Sequence, residues 1–198
     1  MDLFNGLSQS FRIAGCKFEL IDGFLEANFA TTCFNEFLGY EWKQEYINIM
    51  GKEMPIPRKT CWFSKDNKSY MYSGIKVEPL PFTETLHSVC SQIESEFKIS
   101  FNSVLLNLYN NGEDSVSWHA DDERSLGEVI NVASLSLGAS RKFQIRENVK
   151  GSEIHNINLE HNSLLLMHDP AQSKTVHQIP KTKSLIDKRI NLTFRYIV

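Results

Sequence analysis

The chain has only four cysteines, Cys16, Cys33, Cys61 and Cys90, and no two of them stand in a Cys-x-x-Cys pair. That scatter argues against a zinc ribbon and against a disulfide framework, and a reducing interior is the simplest setting for it. Nowhere do about 18 apolar residues run together, and the first residues lack a charged segment followed by an apolar one, so no membrane partner and no secretory leader are expected. We therefore expect an intracellular protein, cytoplasmic in a bacterium or nuclear in a eukaryote, acting as a monomer. There is no repeat, low-complexity tract or long linker, and 198 residues with 41% hydrophobic content can fill one substantial core. One domain over residues 1–198 is the expectation.

Net charge is weak as well, at −3, which by itself points to no polyanionic partner. Its distribution is more informative. Between Met50 and Lys76 stand six cations, Lys52, Arg58, Lys59, Lys65, Lys68 and Lys76, against Glu53 and Asp66. A similar excess returns over Lys174, Lys181, Lys183, Lys188, Arg189 and Arg195 against Asp187. Such segments can neutralise phosphates on an acidic protein, although a charge run is more often a solvated face.

The apolar spacing predicts a helix within Gly23–Gly39, through Phe24, Phe29, Phe34, Phe37 and Leu38, and a second within Pro79–Lys98, through Leu86, Val89, Ile93 and Phe97. Beyond Ser100 the pattern changes to short β-rich runs: Val104–Tyr109, Ser115–Ala120, Val129–Leu137, Lys142–Arg146, Ile154–Leu159, Ser163–His168, Thr175–Gln178 and Ile190–Val198. Breakers such as Asn110-Asn111-Gly112, Gly138 and Asp169-Pro170 separate several of them. The expected fold is α+β and mainly β: a double-stranded β-helix, or jelly roll, over about residues 100–198, supported by helices from the N-terminal half. Tyr46, Ile47 and Ile49, the Gly51 turn and the stiff Pro55-Ile56-Pro57 predict a protruding hairpin, and a lid is expected over about 42–76.

Against that frame one set of residues carries chemistry. His119 and Asp121 lie two apart on a predicted strand, so an imidazole and a carboxylate point to one face. His-x-Asp alone is a weak signal, but a second imidazole from His177 would complete a facial triad. Two imidazoles and a carboxylate leave about three octahedral positions open, which suits ferrous iron better than zinc. Arg189 and Arg195 stand at even separation on the closing strand with Asn191 and Thr193, and a planar guanidinium there can hold a carboxylate.

From about Ile49 to the C-terminus these residues resemble the AlkB family of iron(II)- and 2-oxoglutarate-dependent dealkylating dioxygenases, especially its duplex-DNA-acting branch. The likeness runs through Met50-Gly51-Lys52, Pro57-Arg58-Lys59, Tyr70-Met71-Tyr72, Leu106-Asn107-Leu108-Tyr109, Trp118 to Glu123, Ser136-Leu137-Gly138-Ala139, Ser163 to Met167 and Arg189-Ile190-Asn191-Leu192-Thr193-Phe194-Arg195. It implies that His119, Asp121 and His177 bind Fe(II). It also implies that the distal carboxylate of 2-oxoglutarate sits on Arg189 and Arg195, with Asn107, Tyr109 and Thr193 as hydrogen-bonding partners. O2 is the second cosubstrate.

The implied substrate is alkylated DNA, duplex or single-stranded, carrying lesions such as 1-methyladenine and 3-methylcytosine. RNA is the alternative, and a non-catalytic jelly-roll module that only binds nucleic acid is a further one. A flipped base would lie between Tyr72 and His119, with Asp122 accepting from its exocyclic amine. Ile49 and Met50 at the Gly51 turn would wedge into the vacated gap, with methionine where duplex-acting relatives carry an aromatic ring. Lys52, Arg58, Tyr70 and Met71 complete the implied nucleic-acid surface.

Overall fold

The computed structural model describes residues 8–49, 51–66, 70–72 and 75–198, and the side chains of Ile49, residues 70–72 and residues 75–77 lie outside the description. Met50, expected at the tip of a wedge, therefore falls outside the described residues, as do the side chains of Ile49, Tyr70, Met71 and Tyr72.

The N-terminal part opens with β1 (Ser8–Ile13) and β2 (Cys16–Ile21), followed by α1 (Ala27–Leu38). Next come β3 (Tyr46–Ile49), β4 (Lys52–Pro55), β5 (Lys59–Ser64), β6 (Tyr70–Tyr72), β7 (Ile75–Val77), β8 (Leu80–Pro81) and α2 (Glu84–Phe97). The remainder is β9 (Ser103–Tyr109), β10 (Val116–His119), β11 (Val132–Gly138), β12 (Arg141–Glu147), β13 (His155–Leu159), β14 (Ser163–Met167), the short α3 (Ala171–Lys174), β15 (Thr175–Ile179) and β16 (Arg189–Arg195). Among the described residues no helix is long and apolar enough to cross a membrane.

Two sheets face each other in a jelly roll. The larger runs β1-β2-β14-β11-β16-β9-β5-β8 and the smaller β10-β15-β12-β13. All eight predicted strands of the C-terminal half are present, and they populate both sheets. Their alternation explains how the large sheet serves two purposes. On one face Leu106, Leu108, Leu135, Leu137, Ile190, Leu192 and Phe194 join a single apolar core with the two helices.

The helices form where their caps and apolar stripes agree. The Glu26 carboxylate accepts from the Asn28 and Phe29 amides at 3.0 and 2.9 Å, and α1 then buries Ala30, Cys33 and Phe37. Thr83 Oγ1 accepts from the Leu86 amide at 3.2 Å, and α2 buries Leu86, Val89, Cys90 and Ile93. Phe37, Leu86, Val89 and Ile93 each contribute roughly 1.5–3 kcal/mol by burial.

Two differences from the sequence expectation bear on the site. Lys59–Ser64, inside the stretch expected as a lid, is β5, a strand of the large sheet paired with β9 from Lys59↔Leu108 to Ser64↔Ser103. Its continuous burial from Thr60 to Ser64 places apolar contacts on both faces, which a lid strand would not have. What protrudes is the β3–β4 hairpin, turned at Gly51 with φ +79° and exposed along β4. The N-terminal hairpin was not expected either. It turns through Ala14 and Gly15, both at positive φ, and extends the large sheet by pairing β2 with β14.

Candidate active site

The second face of the large sheet is polar at its centre. Arg189, Asn191, Thr193 and Arg195 alternate along β16, opposite Asn107 and Tyr109 on β9 and Ser134 and Ser136 on β11. This face looks across a cavity of about 330 Å³ at the smaller sheet, which supplies His119, Phe143, His177 and Ile179.

The smaller sheet brings the expected triad together. His119 on β10 and His177 on β15 are direct cross-strand partners, and Asp121 lies two residues beyond His119. One potential ligand atom from each of the three lies within 4.8 Å of the others. The His119 Nδ1–H donates to the Ser117 carbonyl at 2.8 Å, which leaves the Nε2 lone pair for a metal. Burial, reinforced by His119, pushes His177 down to about 3, so it is a neutral imidazole at ordinary pH. Its buried Nδ1 has no hydrogen-bond partner among the described residues, and its ring stacks on Phe143 at 5.2 Å.

For Asp121, burial pushes the carboxyl up, but Arg195 with the two histidines outweighs it and holds the group at about 2. The Arg195 Nη2 donates to Asp121 Oδ1 at 2.7 Å, with both side chains buried. The Asp121 amide in turn donates to Gln172 Oε1 at 2.9 Å. Gln172, on α3, is 2% exposed and donates from Nε2 to the Met167 sulfur at 3.5 Å. Both the carboxylate and the backbone of this ligand are thus held from outside the triad. Gln172→Leu is expected to weaken Mn(II) binding by roughly 10–100-fold, the usual cost of losing an outer partner of a metal ligand, measured by titration of the metal-free protein.

At the other end of β16, Arg189 is 1% exposed. Its Nη2 donates to Ser136 Oγ at 2.9 Å and to Asn191 Oδ1 at 2.8 Å. Asn191 Oδ1 also accepts from Ser134 Oγ at 2.9 Å, and its Nδ2 donates to Thr193 Oγ1 at 2.7 Å. The guanidinium lies 5.1 Å from the Tyr109 ring centre. Burial pushes Arg189 down to about 10, opposed by Tyr109. Among the described residues its Nε and Nη1 are buried without a hydrogen-bond partner. A pinned, buried cation with two open donors fits an anion, because leaving such donors unsatisfied is costly. The chemistry of the triad and this open cation together suit a divalent metal and a dicarboxylate.

The structure redistributes several expected roles. Arg189 and Arg195 were expected on one carboxylate, but they stand six residues apart on an extended strand, about 20 Å between Cα atoms, and Arg195 is engaged with Asp121. Arg58, expected at the nucleic acid, donates from Nε to Asn107 Oδ1 at 2.8 Å inside the cavity. Asp122 is exposed and does not line the cavity, whereas Glu123 does, with a buried Oε2 that has no partner. Gly51 and Lys52 sit at the exposed end of the β3–β4 hairpin.

Glu123, Ser134, Ser136 and Gln172 are site residues absent from the sequence expectation. Strand alternation marks the serines but not Glu123, since residues 120–123 lie beyond the end of β10. Ser134 and Ser136, polar and two apart in an otherwise apolar run, carried that signal.

The family model of the 2OG-Fe(II) oxygenase superfamily matches residues 17–195. The alpha-ketoglutarate-dependent dioxygenase alkB homolog 3 of Bos taurus is 37% identical over 188 residues, covering 90% of this chain and 65% of its own length. The protein named DNA oxidative demethylase ALKBH2 of the same species is 33% identical over 159 residues, covering 77% of this chain and 66% of its own. The chain spans 52–65% of the length of the alkB homolog 3 proteins it matches. The solved structure of OsALKBH1 superposes with a TM-score of 0.67 at 15% identity, covering 96% of this chain and all of the other, which shows the shared fold. With the match extending over nearly the whole jelly roll, the chain belongs to the 2OG-Fe(II) oxygenase superfamily and, within it, to the AlkB family.

Proposed function

We propose that the protein is an Fe(II)- and 2-oxoglutarate-dependent dioxygenase that repairs DNA by oxidative demethylation of N-alkylated bases such as 1-methyladenine and 3-methylcytosine. The observation that carries the reading is the pairing, in one cavity, of the His119, Asp121 and His177 cluster with a buried Arg189 whose Nε and Nη1 are open. Fe(II) and 2-oxoglutarate, when bound, supply the activation of O2 that hydroxylates the N-alkyl carbon, with succinate and CO2 as by-products and an aldehyde released as the base is restored.

The residues of the chain position and shield. His119, Asp121 and His177 hold the metal and leave positions open for cosubstrates. Arg189 receives the distal carboxylate of the dicarboxylate, with Asn107 and Tyr109 on the neighbouring strand lining its path. Arg195 fixes the Asp121 carboxylate through its 2.7 Å bond, and Thr193 acts through Asn191. Leu105, Phe143, Met167 and Ile179 present apolar surface to the same cavity and limit water. The exposed β3–β4 hairpin, with Gly51 and Lys52 at its turn, and the β6–β7 hairpin carrying Tyr70, Met71 and Tyr72 form the nucleic-acid side.

Glu123, half-buried at the cavity wall with an Oε2 that is buried and meets no hydrogen-bond partner among the described residues, is the carboxylate placed to accept from a base's exocyclic amine. Glu123→Gln is expected to lower kcat/KM on 3-methylcytosine about 10–100-fold, the effect of removing one charge-assisted hydrogen bond, at 1.5–3 kcal/mol. Asp122→Asn is expected to change it less than threefold. Equal losses in the two variants would reject this assignment.

The function is tested by formaldehyde release from 1-methyladenine and 3-methylcytosine placed in single-stranded DNA, duplex DNA and RNA. Turnover on DNA is expected. Faster turnover on RNA would move the substrate to RNA, and binding without turnover on all three would make the protein a non-catalytic module.

A further inference from the structure

The segment that carries the protruding hairpin and the pocket that receives the anion meet at one side chain. Arg58 follows Pro57 just after the β3–β4 hairpin, yet it lines the same cavity as the triad. Its Nε donates to Asn107 Oδ1 at 2.8 Å and its Nη1 to the Ser115 carbonyl at 3.4 Å. The Pro57 carbonyl accepts from the Ser115 amide at 2.8 Å, so the approach to the hairpin and the approach to His119 are tied at this point.

A guanidinium can only donate, so Asn107 must present its oxygen to Arg58. The amide is 6% exposed and lines the cavity, and among the described residues its Nδ2 meets no hydrogen-bond partner. An untethered carboxamide has two orientations of nearly the same shape. One of them would aim an acceptor oxygen at the incoming anion and repel it. Holding Oδ1 on Arg58 removes that orientation and leaves the donor edge for the ligand.

We propose that Arg58 is a positioning residue for the cosubstrate pocket, which fixes the Asn107 amide with its donor available to a dicarboxylate. The segment bearing the nucleic-acid hairpin thereby also shapes the cosubstrate site. This rests on the dicarboxylate reading of the cavity given above.

The test is equilibrium titration of 2-oxoglutarate into Mn(II)-loaded protein, without O2 and without nucleic acid. Arg58→Met keeps the aliphatic stem and removes the donors; the Kd is expected to rise roughly tenfold, with Mn(II) affinity unchanged. Arg58→Lys, whose ammonium can still donate, recovers part of that loss. In an Asn107→Leu background the Arg58→Met change has no further effect, because the partner it acts through is gone. Wild-type Kd values in both Arg58→Met and Arg58→Lys overturn the proposal and leave the dicarboxylate reading standing. Failure of the wild-type protein itself to bind 2-oxoglutarate overturns that reading first.

Discussion

Replacing Asp121 by alanine is expected to end turnover and to destabilise the metal-free protein as well. The first effect follows from the loss of the carboxylate ligand between His119 and His177. The second follows from Arg195, whose side chain is 6% exposed and donates to Asp121 Oδ1 at 2.7 Å. Without Asp121 that guanidinium keeps its burial and loses its counter-ion. Removing one member of a buried ion pair typically costs about 3–5 kcal/mol. Chemical denaturation of the metal-free variant should show a loss of that order, alongside the absence of Mn(II) binding and of formaldehyde release. Retained metal-dependent turnover would remove Asp121 from the site, and unchanged stability would show that its bond to Arg195 contributes little.

Arg189→Met is expected to act in the opposite sense on stability. Arg189 is buried, is pushed down to about 10, and has two donors open in the absence of an anion. The metal-free and cosubstrate-free protein therefore carries a desolvated cation with no carboxylate paired to it among the described residues. An apolar side chain of similar length removes that cost, so the unliganded variant should be as stable as the wild type or more so. The same change removes the charge that offsets desolvation of a carboxylate, and 2-oxoglutarate affinity should fall by at least about a hundredfold, two or more charge-assisted hydrogen bonds being lost. Thermal unfolding with and without 2-oxoglutarate reads both effects: the ligand raises the wild-type Tm and leaves the variant unmoved. A variant that is strongly destabilised and still shifted by 2-oxoglutarate would make Arg189 a structural residue.

Together these two changes separate the ends of β16. Joint binding of one carboxylate by Arg189 and Arg195 was the natural expectation, because alternation says which face a residue shares and says nothing about distance along the strand. Six residues of extended chain separate the two Cα atoms by about 20 Å; Arg195 donates to Asp121, and Arg189 to Ser136 and Asn191.

Much of the fold was legible because its strands obey period two and its helices are capped where their apolar stripes begin. The eight strands beyond residue 100 and both helices are of this kind. β5 was hidden by its flanks: Pro55, Pro57, Arg58 and Lys59 read as a lid, while Cys61-Trp62-Phe63 is buried on both sides and has no alternation to display. The N-terminal hairpin was hidden by its turn, since Ala14 rather than asparagine occupies the first positive-φ position, at +52°.

Within the site, His119 and Asp121 were legible from spacing and Arg189 and Arg195 from parity. His177 was legible as a second imidazole on a distant predicted strand, but its pairing with His119 spans strands far apart in sequence and no local pattern gives it. Asp122 drew attention by adjacency to Asp121, whereas Glu123 lies past the end of β10 at His119, where strand alternation is no guide. Gln172 had no local signal. It reaches Asp121 across 51 residues of sequence, and only the folded chain brings them together.

On the proposed function, the triad and the open Arg189 serve one reaction. The most direct measurement is the stoichiometry of formaldehyde and succinate from a 3-methylcytosine oligonucleotide with Fe(II), 2-oxoglutarate and O2. About one aldehyde per succinate is expected, with both lost when the metal, 2-oxoglutarate or O2 is omitted and in the Asp121→Ala and Arg189→Met proteins. Tight oligonucleotide binding with neither product formed would contradict it.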